Sequence, residues 1–281
     1  MNSTQVGTSF ATTLKVKNIR LSDGIIWRTK IVATERRWQK AQEYERKHWE
    51  KVACQIVSST QEDLDWYRWK AEQLSENFLS RIKDLKLEDE KILEVGSGPI
   101  GMVTFLKFGE RYTVDPLEDF FKANPILCKW RAQEVKYTQG KGEALPFEDR
   151  FFSLVIIDNV LDHVKSPQQV LAEIHRVVTE GGYIYINTNV HTRWGVGIRS
   201  LMEIFQIDKG HPFSFTKGGL RKYLEQRGFG IYQEQKESYK EAKKKELRSK
   251  SIRKKIKAIL GITEFQYGAL CKRLSIKSVS R

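Results

Sequence analysis

Residues 91–101 read Lys91-Ile92-Leu93-Glu94-Val95-Gly96-Ser97-Gly98-Pro99-Ile100-Gly101, and this stretch constrains the fold more than any other. A short aliphatic run suits a strand buried on both faces, which requires neighbours beside it and layers above and below. The run passes through an acid into glycines, where a backbone without Cβ atoms can turn tightly and approach a ligand closely. A helix is expected to follow, over 102–108. By itself the turn leaves the ligand open.

The chain has 281 residues, enough for a full core, with 40% hydrophobic and 30% charged residues, the composition of an ordinary globular protein. No apolar run approaches the ~20 residues needed to span a bilayer. The first 30 residues are rich in Ser and Thr and lack the apolar stretch of a signal peptide. Three widely spaced cysteines, Cys54, Cys128 and Cys271, favour neither a disulfide framework nor a zinc site. A reducing, cytoplasmic setting is expected. The net charge of +14 is unevenly spread: residues 236–281 hold 15 Lys/Arg and 4 acids, so the rest carries only +3. Electrostatic arguments about partners therefore belong to the C-terminal segment.

Read in order, residues 1–30 offer a hairpin around Ser22-Asp23-Gly24. Two helices are expected between 33 and 85. In the second, Leu64, Tyr67, Ala71, Leu74, Phe78 and Ile82 share one face, with Ser59 or Thr60 as its cap. In the first, Trp38, Ala41, Glu45, His48, Trp49, Val52 and Ile56 form a looser stripe. Five of the seven tryptophans precede residue 70. They either glue these helices to the rest of the molecule or line a pocket. From 91 onward strands near 91–95, 111–115, 134–138, 153–158 and 182–188 alternate with helices near 102–108, 117–130, 167–178 and 216–227, the pattern of a parallel sheet with crossover helices. Strands at 229–234 and 265–274 follow. The division expected is a mostly helical extension (1–88), an α/β core (89–235), a basic helical insertion (236–261) and a last core strand with its tail (262–281).

Several motifs occur in a fixed order. Glu94-Val95-Gly96-Ser97-Gly98 ends the first strand. Arg111-Tyr112-Thr113-Val114-Asp115 ends the second in an acid whose two oxygens can accept both hydroxyls of a ribose. Gly142-Glu143-Ala144-Leu145-Pro146-Phe147 follows the third strand. The buried run 151–157 leads into Asp158-Asn159-Val160-Leu161-Asp162-His163-Val164, and Glu173-Ile174-His175-Arg176 precedes Gly181-Gly182. Together these resemble class I S-adenosylmethionine-dependent methyltransferases of the type-11, small-molecule branch. The resemblance implies a Rossmann-like, doubly wound sheet of seven strands with an antiparallel last strand. It implies S-adenosylmethionine as cofactor, held by Glu94, Gly96, Ser97, Gly98, Gly101 and Asp115, with Glu143 and Ala144 near adenine and Asp158 and Asn159 near the amino-acid part. Within that set Gly101 is read chiefly as a packing glycine. The Asp/Asn-Pro-Pro-Tyr/Phe tetrapeptide of amino-methylating DNA enzymes is not present, which lowers the case for adenine or glutamine N-methylation.

A sulfonium methyl donor needs little beyond binding, alignment and exclusion of water, but a hydroxyl acceptor also needs a base. The candidates are His163, His191 and His211. His211 lies in Gly210-His211-Pro212-Phe213-Ser214-Phe215-Thr216, which resembles a substrate loop of small-molecule and glycan methyltransferases, with Thr216 capping the next helix. The expected function is O-methylation of a small-molecule, glycan or lipid-linked acceptor. RNA methylation through the basic insertion and a non-catalytic binding protein with the same fold are the alternatives. Residues 240–260, with Ile252, Ile256 and Ile259 or Leu260 on one face, read as a basic amphipathic helix. It would either pack its isoleucines on the body or meet an anionic membrane surface. No metal is expected.

Overall fold

The computed structural model describes residues 32–58, 64–86, 89–205, 207 and 210–274. The hairpin expected within 1–30 and the cap expected at Ser59 or Thr60 lie outside these residues. Eight strands form one sheet in the order β3-β2-β1-β4-β5-β8-β7. The strands are β1 (Lys91–Val95), β2 (Glu110–Asp115), β3 (Val135–Gln139), β4 (Phe152–Asp158), β5 (Val178–His191), β6 (Phe215–Thr216), β7 (Phe229–Lys236) and β8 (Phe265–Arg273). Pairings are parallel except those of β8, which runs antiparallel to both β5 and β7. The expected seven strands and antiparallel last strand are present. The eighth, β6, is a two-residue addition that pairs with Val190 and His191 at the end of β5.

Helices cover both faces: α1 (Glu35–Val57), α2 (Trp66–Asn77), α3 (Glu118–Lys122), α4 (Pro167–Val177), α5 (Arg193–Ile204), α6 (Lys217–Gln226), α7 (Tyr239–Arg248) and α8 (Ile252–Ile259). One core lies between β1, β4, β5 and the α4 and α6 side, around Val155, Ile157, Ile174, Ile186 and Leu224. On the other face α2 presents Ala71, Leu74 and Phe78 to Ile92, Met102, Ile156 and Tyr185. The full stripe read from the sequence is buried, which drives α2 onto the sheet.

Four expectations need correction. Residues 102–108 form only a 3-10 turn, Met102–Phe105, because eight residues separate Gly101 from β2 and the chain turns extended at Leu106. Residues 117–130 break into α3 and a 3-10 turn at Pro125–Cys128, since proline cannot continue the helix. The fifth strand starts at Val178, before the glycine pair, and reaches His191. The basic segment is two helices, α7 and α8, parted at Ser249-Lys250-Ser251. In α8, Ile252, Ile256 and Ile259 are 75%, 50% and 71% exposed, so this face is not packed on the body.

Candidate active site

β1, β2 and β4 end together at the carboxyl edge of the sheet, where the strand order reverses between β1 and β4, the usual ligand crevice of such sheets. A cavity of about 440 Å³ opens there, within the range that holds a small-molecule cofactor. Its floor is the glycine turn. Gly96 and Gly98 have φ of +70° and +63°, a region that side chains enter only at a cost. A Cβ on Gly96 would lie 2.5 Å from Val160 Cγ2, and one on Gly98 would lie 2.4 Å from the Tyr67 hydroxyl. The turn is pinned from behind. Pro99 O accepts from Arg131 Nε (2.6 Å), and Ile100 O accepts from the Thr104 and Tyr137 hydroxyls (2.7 and 3.0 Å). Arg131 is itself held by a bidentate pair with buried Glu118 (2.7 and 2.6 Å).

Two buried carboxyl groups stand beside the turn. Asp115 Oδ2 accepts from Gly98 N–H (2.9 Å) and Oδ1 from Leu117 N–H (2.8 Å), so it braces the turn and opens the next helix. Each oxygen keeps a further lone pair for a ligand hydroxyl. Burial pushes its pKa up to about 6, against the lowering effect of those two N–H groups. Glu94 Oε2 accepts from Val103 N–H (3.0 Å). Burial is again the main cause that raises it, here to about 8. Gly101 packs behind Glu94, where a Cβ would sit 2.9 Å from Oε2, and is not among the lining residues.

Of the expected cofactor residues, Glu94, Gly96, Ser97, Gly98, Asp115, Glu143, Asp158 and Asn159 all line the cavity. Ala144 is exposed outside it. Glu143 also ties two loops together, since its Oε1 accepts from Lys165 and Ser166 N–H (2.7 and 3.0 Å). Asp158 Oδ1 accepts from Asn187 Nδ2 (2.6 Å), and Oδ2 pairs with Lys70 Nζ. Asn159 sits at φ +59°, a conformation Asn tolerates better than most residues.

α1 and α2 roof the cavity with Trp38, Trp49, Trp66 and Tyr67. Trp49 meets Phe121 edge-on at 5.8 Å, and Trp66 stacks on Tyr67 at 3.9 Å. The tryptophans serve both roles weighed from the sequence, since Trp49 also packs on the cluster of Val52, Tyr67, Ile100 and Phe121. Three contacts hold α1 over the site: Arg37 to Glu203 of α5 (2.9 and 3.0 Å), Lys165 to Glu35 (2.5 Å), and His163 Nδ1 to Glu45 Oε1 (3.3 Å).

The three histidine candidates separate. His163 and His211 both line the cavity, with ring centroids 4.5 Å apart. Burial alone would raise Glu45 beside them, yet His163, with help from His48 and His211, holds it below the usual carboxylate value. His191 is buried at the end of β5, outside the lining set. Burial, with Arg199 and Lys257 nearby, pushes its pKa down to about 3. It stands apart from the other two candidates. Lys70, Tyr67, Glu45, His48 and Arg131 enter the site without having been singled out for it. None belongs to the motifs it serves, and the hints were helical stripes: Glu45 and His48 on that of α1, Tyr67 on that of α2.

A family model described as "Methyltransferase domain" matches residues 93–186. An uncharacterised methyltransferase of Schizosaccharomyces pombe is 28% identical over 129 residues, 42% of this chain and 45% of that one. The chain thus spans less than half the length of that relative. Among solved structures, a candidate methyltransferase of Bacillus halodurans superposes with a TM-score of 0.52 at 20% identity, over 74% of this chain and 99% of the other. A Haemonchus contortus phosphoethanolamine N-methyltransferase, solved with phosphomonomethylethanolamine and S-adenosylhomocysteine, superposes at 0.52 and 14% identity, over 72% and 53%. At these identities the superpositions speak for the fold. Residues 93–186 thus match a methyltransferase domain, and the strand order and superpositions give the chain the fold of class I methyltransferases.

Proposed function

We propose that the protein transfers a methyl group from S-adenosylmethionine to a small-molecule acceptor. The observation that carries this reading is one cavity whose lining joins a glycine cradle and Asp115 with a second group of side chains, His163, His211 and Glu45. The residues fit the cofactor: Gly96 and Gly98 have no room for a Cβ beside the cavity, Asp115 offers two acceptor oxygens to a ribose, and Asp158 offers a carboxylate to an ammonium. When bound, the cofactor supplies a methyl on a sulfonium, which an acceptor lone pair takes as the C–S bond breaks and S-adenosylhomocysteine leaves. Lys70 balances Asp158 from the roof. Trp49, Trp66 and Tyr67 exclude water. A hydroxyl acceptor must also lose its proton, and His163, His211 and Glu45 are the basic groups of that second set. The acceptor in this reading is a hydroxyl of a small molecule, glycan or lipid-linked compound. Methyl transfer from radiolabelled S-adenosylmethionine to small-molecule, lipid and RNA fractions tests this. Label in the small-molecule or lipid fraction supports the reading, label in RNA alone replaces it, and cofactor binding without turnover on any fraction argues for a binding protein.

Work at an anionic membrane surface belongs to the same proposal. Beside Ile252, Ile256, Ile259 and Leu260 of α8, α5 exposes Trp194, Leu201, Ile204 and Phe205. The two helices meet where Trp194 Nε1 donates to Leu260 O (2.9 Å). Exposed Arg248, Lys250, Arg253, Lys254 and Lys255 flank these apolar side chains. Apolar residues beside a dense positive charge match an anionic lipid interface. No helix among the described residues is long and apolar enough to cross a membrane. Sedimentation with phosphatidylcholine vesicles, with and without phosphatidylserine, is the check. Serine-lipid-dependent binding that weakens with salt and is lost in I252S/I256S/I259S is expected. Equal or absent binding to both vesicles contradicts it.

A further inference from the structure

Beside the cavity Asp162, His163 and His211 converge, each offering one donor atom, all within 4.8 Å of one another. We propose that these three side chains form a divalent transition-metal site that holds the acceptor. This rests on the reading of His163 and His211 as lying at the acceptor's place. Two imidazoles and a carboxylate are a donor set that suits zinc, iron or manganese rather than calcium. Three protein ligands beside an open cavity leave positions for an oxygen of the acceptor, the arrangement of reactive rather than structural sites.

Three features of the geometry support a cation here. Asp162 is 5% exposed, and its Oδ1 has no hydrogen-bond partner. A buried carboxylate oxygen left that way is costly, and a cation removes the cost. Oδ1 lies 3.8 Å from His163 Nε2, so the two face a common point. The opposite nitrogen of His163, Nδ1, lies 3.3 Å from Glu45 Oε1. A carboxylate on the far nitrogen is the usual partner of a metal-bound histidine, because it fixes the ring and raises its basicity. The donors need to draw in by roughly an ångström to reach ligand distances of ~2.1 Å, a movement that side-chain rotation supplies. His211 enters on the loop ahead of β6, and Phe213 N donates to Asp162 O (3.4 Å), which ties that loop to the other two ligands. A cation so placed would bind and polarise an oxygen acceptor beside the cavity and so ease loss of its proton, in place of His163 or His211 acting as the base.

The test titrates the metal-stripped full chain with Zn²⁺ and, separately, Mn²⁺ by calorimetry, with S-adenosylhomocysteine titrated in parallel. One equivalent of Zn²⁺ or Mn²⁺ is expected, weakened at least tenfold in D162N and in H211A. No binding, or binding equal in wild type and both variants, overturns the site. Should the variants fail to fold, Co²⁺ absorption of the wild type decides. Bands of nitrogen and oxygen ligation support the site, and the spectrum of hydrated cobalt overturns it. Metal binding without S-adenosylhomocysteine binding would sink the methyltransferase reading and leave the metal site standing; the converse would sink the metal site alone.

Discussion

At the scale of single residues the site is built from groups held away from their ordinary states. Burial raises Glu94 to about 8 and Asp115 to about 6. A carboxyl group whose folded pKa exceeds its unfolded value holds its proton more firmly in the native state. Its stabilising effect is complete below the unfolded pKa and is lost as pH rises through the folded one. The cofactor-free protein is therefore expected to lose stability, on the order of a few kcal/mol, as pH rises from about 4.5 to about 8. Urea unfolding across that range should show the slope, and Glu94→Gln should flatten it. Gly98→Ala is a second case. The left-handed backbone costs about 1–2 kcal/mol, and the new methyl displaces the Tyr67 hydroxyl. Lower thermal stability together with weaker cofactor binding is expected, read by melting and calorimetry. The motif residues were legible because a glycine turn, a strand-end acid and a buried strand are local chemistry. Lys70 and Glu45 were not, because their meaning comes from Asp158 and His163, 88 and 118 positions away.

Among the elements, α1 matters most to the site although it precedes the sheet. Its Arg37 forms a bidentate pair with Glu203, both side chains 7% exposed. Removing the arginine strips a buried carboxylate of that partner, at a cost of about 3–5 kcal/mol. Arg37→Ala should accordingly loosen α1 from α5 and weaken cofactor binding, because α1 supplies Trp38, Glu45 and Trp49 to the cavity. Hydrogen exchange over 35–57 and a cofactor titration measure the two effects; unchanged protection and affinity would contradict the latch. α5 itself was invisible to periodicity. Gly195 and Gly197 lower its helix propensity, and its cap, Thr192 accepting from Gly195 N–H (3.0 Å), sits in a stretch that also reads as a substrate loop. The opposite error fell on 102–108, where a helix was expected after the glycine turn but Val103, Thr104, Phe105 and Phe108 are weak helix formers and the span to β2 is short. The basic insertion was recognised by charge, but charge could not say that its isoleucines would face outward.

Taken whole, the described residues join a sheet whose switch point forms a cavity, a helical roof from the N-terminal side, and a basic, partly apolar flank from α5 and α8. The parallel strands were legible in the alternation of strand and helix segments, and the antiparallel last strand in the resemblance, whereas the order of the strands is seen only in the structure. The pairing of His163 with His211 was not legible either, because they come together only when the loop after β4 and the loop before β6 meet. The central claim is that the cradle at the end of β1 binds S-adenosylmethionine. Calorimetric titration with S-adenosylmethionine, in wild type and Asp115→Asn, tests it directly. One site per chain is expected. It should weaken about tenfold or more in the variant, as loss of charge-assisted hydrogen bonds to a ribose requires. No heat of binding to the folded wild-type chain, or the same affinity in the variant, would contradict the account.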